Sequence, residues 1–266
     1  MKRVIFTADD FGLTAEVNAA VAQAHRQGVL TAASLMIGAP AAAEAVALAH
    51  TLPKLGVGLH VVVADGNPVL SPEKIPHIVD AHGRLPSELA AASFRWALSG
   101  AARAELRAEI AAQFAAFAAT GLACDHVNAH NHMHLHPIVL GIMLDQARRY
   151  GIKHVRLPHE PGAVLLAPWL ALMRARLRNG GFVFNDRLVG LTHTGHLTEA
   201  RVLRLLDAVG DGVSELYFHP ATAATPALDT AAPGYDRTGE LAALCSPTVA
   251  ARIAALGLKP SVFRDL

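Results

Sequence analysis

Val4-Ile5-Phe6-Thr7-Ala8-Asp9-Asp10-Phe11-Gly12-Leu13-Thr14 is the stretch on which the reading of this chain turns. A short, largely apolar run of strand length meets two adjacent carboxylates and a glycine. Thr14 then stands in N-cap position before a helical stretch that closes at Gly28, read as the C′ residue. Strand, turn and capped helix make one β-α unit, and the pattern recurs. Further β-type runs lie at Thr31 to Ile37, Val57 to Val63, Cys124 to Ala129, Lys153 to Leu157, Phe182 to Phe184, Ser214 to Phe218 and Pro260 to Phe263. Helical stretches lie between most of them. One opens with Pro137 at N1 and ends at Gly151 after Arg148 and Arg149, and another opens at Ser246-Pro247 and closes at Gly257. Eight strands alternating with helices predict an α/β fold with a mostly parallel sheet. No Gly/Ser-rich or Pro-rich linker and no fixed-period repeat divides the chain, so residues 1–266 read as one domain. The excursion Asp65 to Ser99 follows the third strand, where long loops of α/β barrels shape substrate sites.

Composition narrows the function classes. With 52% hydrophobic and 17% charged residues the chain has material for a large core. A net charge of +1, with no basic run interleaved with aromatics, excludes the electrostatic footprint of nucleic-acid binding. Cys124 and Cys245 lack CxxC spacing and read as free thiols in a reducing cytoplasm. The apolar run after Met1-Lys2-Arg3 is broken by Asp9 and Asp10 before secretory length, so no export signal is expected. Gly162 to Met173 is too short to span a bilayer.

The polar residues that break apolar strands carry the chemistry. Asp9 and Asp10 end the first strand, where neighbouring side chains of an extended chain point oppositely and suit two different jobs; a lone aspartate there would cap a turn. His60 lies in Gly56-Val57-Gly58-Leu59-His60-Val61-Val62-Val63 with no polar strand neighbour, and alone it reads as a core histidine. Among the 15 histidines, His126, His130, His132, His134 and His136 share one parity with Asn128, so an extended chain would gather them on one face, as His-rich metal-binding tracts do. His219, in Phe218-His219-Pro220, ends another apolar run on the same predicted edge, and Arg156 ends the run before Pro158. Arg156 reads equally as a surface arginine or as a partner that orients Asp9.

Thr-Ala-Asp-Asp-Phe-Gly-Leu at 7–13, Gly-Leu-His at 58–60, His-Val-Asn-Ala-His-Asn-His-Met-His at 126–134 and Phe-His-Pro at 218–220 together resemble the YdjC-like carbohydrate deacetylases, over essentially the whole chain. Within that family the histidine motif and the C-terminus are similar to the branch associated with hopanoid biosynthesis. The resemblance implies a distorted (β/α) barrel in which Asp10, His60 and His130 bind a divalent ion, Asp9 acts as base and His219 as acid; beside these, Arg156, which could hold a sugar hydroxyl, and His132 are candidate substrate contacts. Two nitrogen ligands and one oxygen favour zinc over magnesium, with other divalent ions open. One departure stands out, since several relatives have Asp-Ser-His where this chain has Asn128-Ala129-His130.

The implied substrate is an N-acetylglucosaminyl glycolipid or oligosaccharide. A hopanoid lipid at the inner face of the cytoplasmic membrane is favoured by the branch resemblance. It is also favoured by the apolar run Gly162 to Met173, followed by Arg174, Arg176 and Arg178, which reads as a peripheral membrane contact or as a barrel helix. Soluble chito-oligosaccharides are the alternative, against which stand just two tryptophans, Trp96 and Trp169, to stack on sugar rings. A phosphoester or cyclic amide substrate, a non-catalytic metal-binding protein and a homodimer are left open.

Overall fold

The computed structural model describes residues 2–160, 162 and 164–266. Met1, Pro161 and Ala163 lie outside the described residues, as does the side chain of Val164, so the apolar run from Gly162 is followed here from Leu165 onward. Among the described residues the strands are β1 (Lys2–Phe11), β2 (Ala32–Leu35), β3 (Gly56–Val61), β4 (Val127–Ala129), β5 (Arg187–Val189), β6 (Gly212–Phe218) and β7 (Lys259–Pro260). The helices are α1 (Ala15–Gln27), α2 (Ala42–His50), α3 (Leu89–Leu98), α4 (Gly100–Ala119), α5 (Pro137–Arg149), α6 (Ala167–Asn179), α7 (Glu199–Asp207), α8 (Pro226–Ala231), α9 (Arg237–Leu244) and α10 (Pro247–Ala255). No helix among them is long and apolar enough to cross a membrane.

All strand pairs are parallel, in the order β4-β3-β2-β1-β6-β5, with β7 against the start of β1. Beyond β4 the wall continues through single bridges, Val127 to Val155 and His154 to Val183, and the segment at 183 runs on into β5 beside β6. The strands therefore wrap round into the expected distorted (β/α) barrel, one side of which is held by bridges rather than ladders. That is where the expected strands fall short. Lys153 to Leu157 and Phe182 to Phe184 contribute only bridges, because the Asn185 amide takes both the N–H and the C=O of Leu157, at 2.7 and 2.8 Å. β5 lies downstream of the expected run. At the C-terminus, pairing stops at Pro260 and a 3-10 turn begins at Phe263, since the Asp125 carboxylate accepts the N–H groups of Phe263 and Arg264 at 3.2 and 3.0 Å.

The caps of three helices match the sequence reading. The Thr14 side chain accepts from Val17 N, Ser246 accepts from Thr248 N and Val249 N, and Pro137 opens α5. Gly28 differs in its reason. Its φ is −128°, not left-handed, and a Cβ there would sit 2.2 Å from the Leu244 carbonyl oxygen, so α9 packs on bare backbone. The excursion after β3 is a loop with a short 3-10 turn that ends in α3. Buried Glu109 of α4 ties it down by accepting from Val69 N and Leu70 N at 2.8 and 2.9 Å. Cys124 and Cys245 are free, and burial pushes the Cys124 thiol up to about 12.

Gly58 of β3 leaves space for the buried His126 ring of the next strand segment, since a Cβ there would lie 2.5 Å from the His126 carbonyl and 2.6 Å from its ring. Gly58→Ala is expected to cost ~1–3 kcal/mol through overpacking. Gly100→Ala, where an added Cβ meets nothing within 4 Å, should stay within about 0.5 kcal/mol of the parent. Urea denaturation checks the pair, and equal stabilities would contradict this packing.

Candidate functional site

The site begins with a defect in β1. The β1–β2 register shifts between Ala8 and Phe11, and Asp10 takes φ 63°. Such a bulge re-aims a side chain. Regular alternation would have sent Asp9 and Asp10 to opposite faces, whereas both line one cavity of about 790 Å3 at the C-terminal edge of the strands. Behind the bulge, the buried Asn18 of α1 accepts the Gly12 N–H at 2.8 Å, and its amide nitrogen reaches Ala41 O and Glu44 at 3.0 Å each.

Asp10, His60 and His130 converge. Oδ1 of Asp10 lies 3.2 Å from Nδ1 of His130 and 3.7 Å from Nε2 of His60, and the two ring nitrogens are 3.4 Å apart. A tetrahedral ion with bonds of ~2.0–2.2 Å sets its ligand atoms roughly 3.3–3.6 Å apart. The triangle therefore fits one divalent cation, and the buried Asp10 Oδ1 has no directed hydrogen-bond donor of its own. Burial would raise the Asp10 carboxyl, but His130, His219 and Arg237 hold it far below the usual carboxylate range. Burial would likewise lower His130, but Asp10 raises it, while His60 is pushed down by its burial.

Asp9 is held by a different partner. Nη1 and Nη2 of Arg156 donate to its two carboxylate oxygens at 2.6 and 3.0 Å, and the same guanidinium donates from Nε and Nη2 to Glu215 Oε1 at 3.0 and 2.7 Å. Arg156 has no exposed surface. Against the effect of burial, it keeps the Asp9 carboxyl well below its ordinary value, with His60 and His219 adding to it.

His219, at the end of β6, is buried between Tyr217 and Tyr235, whose ring centroids lie 5.4 and 5.1 Å away, and its Nδ1 has no hydrogen-bond partner among the described residues. Burial lowers its imidazole to about 4. Its backbone N–H donates to Glu240 at 2.5 Å, and Glu240 also accepts Leu197 N at 3.0 Å.

Of the residues singled out in the sequence, Asp9, Asp10, His60, His130, His132 and His219 all line the cavity. The route differs at one point. The histidine run is extended only over Val127–Ala129; a 3-10 turn follows from His130 to Leu135, in which Asn131 and His132 both have φ 51°. The one-parity face therefore ends at Ala129, and His132 reaches the cavity by a left-handed step, packing edge-on against Tyr217 at 5.1 Å. Arg156 lies behind the lining, occupied by Asp9 and Glu215, and is no surface arginine. The sequence reading missed Glu215, Tyr217, Tyr235, Arg237 and Glu240. Glu215 and Tyr217 share the parity of His219 on an apolar strand, a signal that was present. Arg237, 3.5 Å from Asp10, arrives at the start of α9 and had none.

Fold and site together define an α/β-barrel protein with a carboxylate- and histidine-lined cavity at the C-terminal edge of its strands. The chain belongs to the YdjC-like protein family, which residues 3–255 match. It is 33% identical over 262 residues to a carbohydrate deacetylase of Geobacillus stearothermophilus, covering 98% of this chain and 96% of that one. It is 32% identical over 243 residues to a carbohydrate deacetylase of Brevibacillus brevis, covering 90% and 89%. A crystal structure from Enterococcus faecalis V583, of a protein named for cellobiose-phosphate cleavage, superimposes with a TM-score of 0.83 at 26% identity, over 99% of this chain and 98% of that one.

Burial raises the Glu240 carboxyl from 4.5 to about 7. The folded state thus binds more protons between those values, and this group's contribution to stability, full below 4.5, is lost as pH rises to about 7. Glu240→Gln cannot ionise. Its stability relative to the parent should rise between about pH 5 and about pH 7.5. Thermal denaturation across that range checks it, and a pH-independent difference would contradict the assignment.

Proposed function

We propose that this chain is a metal-dependent carbohydrate N-deacetylase that removes the acetyl group from an N-acetylglucosaminyl substrate. The observation that carries this reading is the Asp10, His60 and His130 triangle beside an arginine-clamped Asp9 in one cavity. The names of the Geobacillus and Brevibacillus relatives support the same activity. A divalent ion at the triangle, zinc by preference for its two nitrogen ligands, supplies Lewis acidity toward water and the amide carbonyl. Asp9, kept charged and oriented by Arg156, takes the proton of the attacking water. An amine leaves poorly unless protonated; the proton that Asp9 takes from water passes to His219, which gives it up readily to the amine nitrogen as the C–N bond breaks because its burial disfavours the imidazolium, so that both side chains end as they began. His132 lines the cavity wall, where it is placed to contact the sugar. Arg156 acts through Asp9.

We further propose that the substrate is a lipid-linked amino sugar, a hopanoid glycolipid by the branch resemblance, met in the cytoplasm at the inner membrane face. Two features support an apolar appendage. The cavity shares Leu13, Met36, Asp65 and Ser87 with an adjoining trough of about 810 Å3, whose wall combines apolar Pro40, Val62 and Leu85 with polar Asp80, His82 and Arg84. Leu165 is 98% exposed just before α6, and Leu166 and Leu172 are exposed with it. Soluble chito-oligosaccharide is the competing substrate.

His60→Ala and His130→Ala should each lose stoichiometric metal by elemental analysis, whereas Asp9→Asn and His219→Ala should keep metal and fold but lose roughly 10²- to 10⁴-fold in kcat. Near-normal turnover in either of the last two removes that residue from the mechanism. On substrate, kcat/KM for N-acetylglucosaminyl hopanoid in liposomes should exceed that for diacetylchitobiose in buffer. The reverse preference, with no sedimentation on anionic liposomes, would sink the lipid reading and leave the deacetylase standing.

A further inference from the structure

A line of buried polar groups crosses the barrel interior behind His60. Asp125 Oδ2 lies 3.1 Å from His126 Nδ1, His126 Nε2 lies 3.0 Å from Ser34 Oγ, Ser34 Oγ lies 2.9 Å from the Asn128 amide, and the other end of that amide lies 2.7 Å from His60 Nδ1. All five residues are at most 2% exposed, so water does not set the direction of these bonds. The carboxylate of Asp125 does. It also accepts two backbone N–H groups, from Phe263 and Arg264, and as an ionised acceptor it requires the His126 proton on Nδ1. Nε2 of a neutral His126 is then an acceptor, so Ser34 donates to it and is left to accept from the Asn128 NH2. The Asn128 oxygen consequently faces His60, Nδ1 of His60 donates to it, and Nε2 of His60 presents a lone pair to Asp10 and His130.

Arg156 pulls the other way. The end of the Asn128 amide that faces Ser34 also lies 2.8 and 3.0 Å from Nη1 and Nη2 of Arg156, where an oxygen would be bonded and an NH2 meets other donors. Turned about, Asn128 accepts from Arg156 while Ser34 keeps its one hydrogen for His126, the NH2 donates to His60 Nδ1, and the His60 proton moves to Nε2, where it blocks ligation. Each orientation of one amide thus matches one state of His60.

We propose that Asn128 is a positioning residue whose amide turns when a divalent ion is loaded, and that the Asp125, His126 and Ser34 chain holds the loaded orientation against the pull of Arg156. The proposal rests on reading Asp10, His60 and His130 as the metal site. Removing Ser34 takes the nearer acceptor from that end of the amide, leaves Asp9 Oδ1 at 3.3 Å against the two Arg156 nitrogens, and shifts the balance toward the blocking orientation. A carboxylate at 128 has acceptors at both ends and no orientation to choose, so it makes Ser34 dispensable for metal binding.

The test is a competition titration of zinc against a chromophoric chelator for wild type, Ser34→Ala, Asn128→Asp and the double variant. Ser34→Ala should weaken zinc binding by roughly 10- to 100-fold, and the same substitution on the Asn128→Asp background should change it less than about 3-fold. An unchanged affinity in Ser34→Ala, or an equal loss in both backgrounds, overturns the proposal. In wild type, which needs no substitution to fold, ¹⁵N-histidine spectra should place the His60 proton on Nε2 without zinc and on Nδ1 with it; a proton on Nδ1 in both states overturns the turning amide. Wild type that binds no zinc would be a different failure, removing the metal site itself and this proposal with it.

Discussion

One guanidinium with no exposed surface organises this molecule. Arg156 lies between Asp9 of β1 and Glu215 of β6, and Glu215 also accepts the Thr7 hydroxyl at 2.7 Å. A buried ion pair repays its desolvation only when the geometry is good and the remaining donors and acceptors are used. Here four directed bonds from one planar fork supply the geometry, while Glu215 Oε2 is left without a hydrogen-bond partner among the described residues, and the Tyr217 ring lies 5.2 Å from the guanidinium carbon. The arrangement also supplies what the backbone lacks. Arg156 stands on the segment that joins β4 only by a bridge at Val155, and its side chain ties that weakly paired part of the wall to β1 and β6.

The chemistry of the site follows from that anchor. With Asp9 committed to Arg156, the next residue must turn to reach the same cavity, and Asp10 does so at φ 63° in the bulge. A left-handed non-glycine residue costs on the order of 1–2 kcal/mol, and aspartate is among the residues that tolerate it best. The bonds of Asn18 to Gly12, Ala41 and Glu44 hold the turn from outside. Two adjacent carboxylates thereby acquire different partners: a fixed guanidinium for one, and two imidazoles for the other. In the proposed mechanism the same division separates the proton acceptor from the cation ligand.

Much of this was legible in the sequence because barrels put their chemistry where apolar strands end. A polar residue closing an apolar run is visible in one dimension, and Asp9, Asp10 and His219 were singled out that way, whereas His60 alone read as a core histidine and gained a role only with the other motifs, and Arg156 read equally as a surface residue. Gly58 and Gly56, by contrast, read as mere motif letters, yet they leave room for His126 and Asp125. The histidine run was misread as extended because its alternation fits a strand, while the turn from His130 depends on left-handed Asn131 and His132, which periodicity does not report. Arg237 and Tyr235 come from the start of α9 and the loop before it, and only the closed barrel brings them to Asp10 and His219. Ser34 sits in Ala32–Leu35 as an ordinary small strand residue; its role exists only through His126 and Asn128.

The proposed mechanism requires Asp10, His60 and His130 to hold one divalent ion. An anomalous difference map recorded at the zinc edge from crystals grown with zinc tests it most directly. A single strong peak is expected within roughly 2.0–2.2 Å of a carboxylate oxygen of Asp10 and one ring nitrogen each of His60 and His130. A peak held by other side chains, or none in this cavity at full zinc occupancy elsewhere, would contradict it.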